Sequence, residues 1–171
     1  MYLRFGAMIA TSTVVMFGLT YTNAYVAEHL TFSEERVYMA LLMGSAMAII
    51  MLGFMWAMMY HNLKINLAII GLAVVIGAAA LGLSRSQVWV DDVAYMKGMI
   101  PHHSIAILTS ERAQIDDVRV RELADQIILA QRREIAEMEW LVEDIQQNGI
   151  AETQAQAQER PVPDFEASLN P

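Results

Sequence analysis

The sequence predicts an all-α membrane protein: three transmembrane helices followed by an extracytoplasmic antiparallel helical hairpin of the ferritin-like or four-helix-bundle type. Three observations carry that expectation. The chain has 171 residues, is 56% hydrophobic and has a mean hydropathy of +0.35, high for a water-soluble domain. Three apolar stretches reach the roughly twenty helical residues that a bilayer crossing needs. Charge is divided unevenly as well. Residues 1–87 carry four basic side chains (Arg4, Arg36, Lys64, Arg85) against three acidic ones (Glu28, Glu34, Glu35), whereas residues 88–171 carry seven against sixteen. The expected domains are a three-helix anchor over 1–87, a hairpin over 88–149 and a flexible acidic tail over 150–171.

The spans are expected at about 5–27, 37–60 and 65–83. The loop between the first two, Glu28 to Arg36, is net acidic, and the loop His61-Asn62-Leu63-Lys64 is short and basic. Lys and Arg collect on the cytoplasmic side of a membrane. The N-terminus and the second loop are therefore assigned to the cytoplasm and everything after Arg85 to the periplasmic face of a bacterial inner membrane. The first span is too long for the apolar region of a cleaved leader and reads as an uncleaved helix. Its polar residues Thr11, Ser12, Thr13, Thr20, Thr22 and Asn23 are expected to pack on another helix.

The second span holds Met39, Met43, Met47, Met51, Met55 and Met59 at four-residue spacing. Four residues turn a helix by about 400°, so this ridge winds by about 40° per step. A flexible apolar filler on a packing ridge is favoured over a thioether track for metal.

Helical periodicity returns from about Val88 to Ala113, with Val93, Met96, Ile100, His103 and Ile107 on one stripe. Asp91 or Asp92 suits its N-terminal end. Pro101 lacks the N–H that would bond the Lys97 carbonyl, so a kink or restart is expected there. Asp116-Asp117 opens a second helix that Asn148-Gly149 closes. Its expected inner stripe is Val120, Leu123, Ile127, Gln131, Glu134, Met138, Leu141 and Ile145, interrupted by two polar residues. In an antiparallel hairpin Glu134 comes within reach of His102 or His103. Spacing alone leaves two readings open: a His–Glu hydrogen bond that fixes register, and a metal site. The thioethers of Met96, Met99 and Met138 favour the metal. With no cysteine in the chain, Met, His and one carboxylate suit copper, and zinc is the lesser alternative.

Two such helices do not bury a sufficient core alone, so a homo-oligomer or a partner subunit of a membrane complex is expected to complete the bundle. The tail contains Pro161 and Pro163 and is expected to be disordered, with Phe165 and Leu169 its anchors if it orders. Nucleic acid is excluded as a partner by the acidic balance of the aqueous half. No His-Glu-x-x-His motif, nucleophile motif or phosphate-cradling glycine loop is present, so no enzyme is expected.

Asp92, Tyr95, Met99, Ile100, Pro101, His102 and His103, followed by Ala124, Ile127, Gln131, Glu134, Ile135, Met138, Trp140 and Leu141, form a pattern over about 90–145. It resembles domain-of-unknown-function family 305, the CopM-like copper-binding helical domain. The resemblance implies a helical-bundle domain, often extracytoplasmic, that in some members binds copper or silver through Met and His. Members usually carry a further Met after the His pair, where this chain has Ala106-Ile107-Leu108-Thr109. Three spans ahead of the domain are also unusual for the family. Together these readings make His102, His103, Met99, Met138, Met96 and Glu134 the candidate ligands. They set a membrane-anchored copper-buffering, resistance or delivery protein against a non-catalytic structural subunit of a larger complex.

Overall fold

Each of the three apolar stretches folds as a helix long and apolar enough to cross a membrane: α1 (Tyr2–Leu19), α2 (Glu34–Met55) and α3 (Leu63–Ser86). In this computed structural model residues 1–22 and 24–169 are described, and no strand occurs among them. The chain divides into two compact units, one of residues 1–22 and 34–90, the other of the loop up to Ser33 and residues 91 onward.

In the first unit α1 and α3 both pack on α2. The contacts are made where side chains are small, as expected where van der Waals packing holds apolar helices together. Ala40, Gly44, Ser45 and Ala48 of α2 and Ala73, Gly77 and Ala80 of α3 are buried. A Cβ at Gly44 would collide with Thr13 Oγ1, and one at Gly77 would stand 3.2 Å from Ser45 Cβ. Thr13 thus packs on a helix as expected, Thr11 faces outward, and Asn23 lies outside the described residues. Gly44→Val is expected to lower the stability of the detergent-solubilised protein by about 1–3 kcal/mol through overpacking. Gly53→Val, at a position with nothing within 4 Å, should leave it unchanged. Equal melting temperatures for both variants would refute close α1–α2 packing.

The boundaries differ from those expected, for local reasons. Helix α1 stops near Leu19 because the hydroxyls of Thr20 and Thr22 bond back to the carbonyls of Phe17 and Leu19, while Arg36 donates to the Thr20 carbonyl at 3.0 Å. Helix α2 stops at Met55, whose carbonyl accepts from Met58, Met59 and Tyr60 in turn. The reversal seats Tyr60 between the rings of Tyr2 and Phe5, at 4.9 and 5.4 Å. Asn62 caps α3 by accepting from the amides of Lys64 and Ile65. Asn66, fully buried, donates to the Tyr60 carbonyl at 2.7 Å and accepts from the Tyr2 hydroxyl at 2.9 Å. The methionine ridge winds as its spacing requires. Met39 and Met43 are exposed, whereas Met51 and Met55 pack against Phe5, Leu52 and Tyr60.

The second unit is built on α4 (Asp92–Arg112) and α5 (Val118–Asn148), packed as a hairpin. Asp91 and Asp117 cap them through the amides of Ala94 and Arg119. Gly149, at φ 78°, ends α5. Of the kink or restart expected at Pro101, the restart does not occur: helix α4 runs through the proline. The Lys97 carbonyl that proline leaves unbonded accepts the hydroxyl of Thr31 instead. That threonine belongs to a strap, residues 24–33, lying on α4. Ser104, fully buried, accepts the Tyr25 amide at 2.7 Å and lies 2.9 Å from His29 Nδ1.

The tail also departs from expectation. Thr153 and Gln156 form a capping box for a short helix, α6 (Gln154–Glu159). Arg160 then pairs with Asp144 at 2.6 Å and donates to the Gly149 carbonyl. Residues 161–168 return along α5 to Arg132, which donates to the Ser168 carbonyl at 2.6 Å. Phe165 lines a groove of about 360 Å³ with Tyr25, Ile107 and Ile135. The expected anchor at Phe165 makes this contact, while Leu169 is exposed. The strap thus supplies Tyr25 as a core partner that two helices alone lack, and the tail lines the groove beside it.

Candidate functional site

The core of the hairpin is an isoleucine cluster, Ile100 and Ile107 from α4 with Ile128 and Ile135 from α5, against which Tyr25 and Met138 pack. On α4 the buried stripe is Met96, Ile100 and Ile107, as expected, with half-buried His103 between. On α5 it is Ala124, Ile128 and Ile135. This lies one position on from the expected stripe, and Val120 and Leu123 face outward. The physical reason is visible in the polar pair. Continuing the seam from Ala124 and Ile128 brings in Gln131 and Met138 and leaves Glu134 on the flank, its side chain 39% exposed. The carboxylate therefore stays in contact with water and avoids the full desolvation cost that a core position would impose.

From that flank Glu134 reaches His103. Its Oε2 lies 3.1 Å from His103 Nδ1 and accepts from Gln131 Nε2 at 3.3 Å. The Nδ1 atom is buried, yet the oxygen is off the ring N–H direction, and Nδ1 has no hydrogen-bond partner. The contact is a close approach without a hydrogen bond. Burial pushes the His103 imidazole below its ordinary pKa, the Glu134 carboxylate pulls it back up, and His102 lowers it again. The net effect is downward, so His103 is a neutral imidazole at neutral pH.

The sign of the linkage follows. A base whose pKa is depressed by folding binds more protons unfolded, so its contribution is present above about pH 6.5 and lost as pH falls through the folded value. The melting temperature should fall between about pH 7.5 and about pH 5, less steeply in His103→Gln. Parallel curves would show that His103 does not titrate with unfolding.

The remaining candidates are placed unequally. Met99 lies one turn before His103 on α4, and Met138 one turn after Glu134 on α5. The antiparallel register that pairs His103 with Glu134 sets these two thioethers level with each other. Met96 is buried in the seam, and His102 faces outward. Thr109, where relatives are expected to carry a thioether, is exposed and bonds back to the carbonyls of Ile105 and Ala106. Among the described residues no group of three or more His, Cys, Asp or Glu side chains converges as a metal site. The donor set is one imidazole and one carboxylate in contact, with thioethers a turn away. It fits a copper ion partly, with fewer donors than the sequence suggested.

Sequence reasoning missed a second polar cluster. Arg132 pairs with Glu111 at 2.5 Å, both side chains largely buried, and stands 6.0 Å from the Tyr25 ring. The Glu111 carboxylate beside Tyr25, aided by burial, pushes that phenol's pKa up. The signal available was Arg132 directly beside the Gln131-x-x-Glu134 interruption.

These features define a helical-hairpin domain, strapped at both helices, carried behind three apolar helices. The family model "Domain of unknown function (DUF305)" matches residues 92–167, from the first turn of α4 through the tail beyond Phe165. An uncharacterized protein of Acanthamoeba polyphaga mimivirus is 34% identical over 104 residues, covering 57% of this chain and 68% of the relative. The chain belongs to the DUF305 family. No solved structure matches it.

Proposed function

We propose that this chain is a membrane-anchored, extracytoplasmic copper-binding protein that buffers, sequesters or delivers the metal, without catalysis. The observation that carries the reading is the unbonded approach of His103 Nδ1 to Glu134 Oε2, with Met99 and Met138 one turn along. Imidazole and thioether donors suit copper in a chain without thiols, and a neutral imidazole needs no proton removed before it ligates. If α2 and α3 both cross the bilayer, the 24–33 loop and Asp91 lie on the same side of it. Their association in one folded unit supports that arrangement. The charge bias of the loops supports the outer side.

The test is anaerobic titration with copper(I) of the full-length protein in detergent, against a His102→Ala/His103→Ala variant. The full chain is required because the strap and the tail belong to the folded unit. Tight binding lost in the variant is expected, and equal, weak binding by both would sink the metal role.

One observation favours a second reading, an accessory subunit of a membrane complex. Val118, Val120 and Leu123 are 79, 48 and 56% exposed at the start of α5. Stoichiometric co-purification with a partner and no bound metal would select that reading.

A further inference from the structure

A buried imidazole nitrogen is satisfied when it donates a proton to an acceptor or accepts one from a donor. His103 Nδ1 does neither. If it carries the proton, a buried donor is left unmatched beside an oxygen that it does not point at. If it carries the lone pair, that lone pair has no donor to accept from and lies beside a carboxylate oxygen at 3.1 Å, itself fixed from the other side by Gln131. Both assignments are unfavourable, and a cation accepting both lone pairs would relieve both.

The distance itself has a chemical reading. Metal–nitrogen bonds of roughly 2.0–2.1 Å and metal–oxygen bonds of roughly 2.0–2.2 Å separate two adjacent ligands of one ion by about 2.9 Å at a right angle and about 3.4 Å at a tetrahedral angle. The observed separation lies between them, whereas a trigonal or linear ion would spread the pair to about 3.6 Å or more. A carboxylate oxygen is moreover a poor ligand for a soft monovalent ion and a good one for a harder divalent ion.

We infer that His103 Nδ1 and Glu134 Oε2 are adjacent ligands of one borderline divalent cation, copper(II) or zinc(II), with Gln131 positioning the carboxylate. This rests on the copper reading above and narrows it. The imidazole–carboxylate end of the site selects the divalent state, and the thioethers of Met99 and Met138, a turn away, offer the softer donors.

The test uses the full-length protein in detergent. Glu134→Gln keeps the shape and polarity of the side chain but removes the anionic ligand. It should weaken copper(II) and zinc(II) binding at least about tenfold, while copper(I) affinity measured anaerobically changes by no more than about twofold. Nitrogen–proton correlation spectra of protein with isotope-labelled histidine should show zinc(II) moving the Nδ1 resonance of His103 and leaving Nε2 protonated. His103→Gln, with helicity checked by circular dichroism, should abolish that shift. Ligation through Nε2, or equal losses for both oxidation states in Glu134→Gln, would overturn the inference. If copper(I) binds and the divalent ions do not, the inference falls and the copper reading stands. If neither state binds, the copper reading itself fails.

Discussion

Arg132→Ala is expected to destabilise the hairpin unit by about 3 kcal/mol, the scale for breaking a largely buried ion pair by removing one partner. Arg132 and Glu111 join α5 to α4 across 2.5 Å, with side chains only 14 and 25% exposed. The arginine also holds the tail through the Ser168 carbonyl. The alanine variant leaves Glu111 as a partly buried anion with Tyr25 as its neighbour. Glu111→Ala should cost less, because the freed guanidinium keeps the Ser168 carbonyl as an acceptor. The double variant should cost clearly less than the two single losses combined, since the second removal eliminates the stranded charge. Thermal unfolding in detergent, followed by helical circular dichroism, measures all three. Strict additivity would mean that the pair contributes no coupling.

Ending the chain after Gly149 is expected to have an effect of similar size. The truncation removes the Arg160–Asp144 pair, the Ser168 acceptor and the Phe165 side chain from the groove beside Ile107 and Ile135. Together these should lower stability by about 1–3 kcal/mol, since half-buried Phe165 falls short of the about 1.5–3 of a fully buried large apolar side chain and the partly exposed pair adds less. Phe165→Ala in the full chain should reproduce about half of the loss. An unchanged melting temperature after truncation would return residues 150–169 to the status of a free tail. Metal titrations on a fragment that omits them would confound folding with binding.

Much of this was legible because it is local. Hydropathy windows located α1, α2 and α3, and the helix ends were read from the pairs Asp91/Asp92, Asp116/Asp117 and Asn148/Gly149, of which Asp91, Asp117 and Gly149 are the caps. The approach of Glu134 to the histidine pair was read from hairpin spacing, since antiparallel register is set by a short turn, and the structure selects His103 over His102. The stripe of α5 was misjudged by one residue. At that interface Val120, Leu123 and Ile127 are as apolar as Ala124 and Ile128, so composition gives no phase. The fit of Ile100 and Ile107 from the facing helix and the exposure of the Glu134 carboxylate set it together. The tail was misread for a related reason. Its sequence is polar and proline-bearing, and its order comes from Arg160, Phe165 and Ser168 meeting partners on α5.

By itself the sequence determined the helical class, the three apolar helices and the family pattern. These follow from side-chain chemistry and from periods of a few residues. Tertiary structure alone decided that the Lys97 carbonyl freed by Pro101 is bonded by Thr31 and that Glu134 sits on a wet flank beside a buried, unpartnered imidazole nitrogen. It likewise decided that the strap packs Tyr25 on the hairpin core and that the tail lies along α5. Each depends on groups far apart in the chain, whose meeting no local propensity encodes.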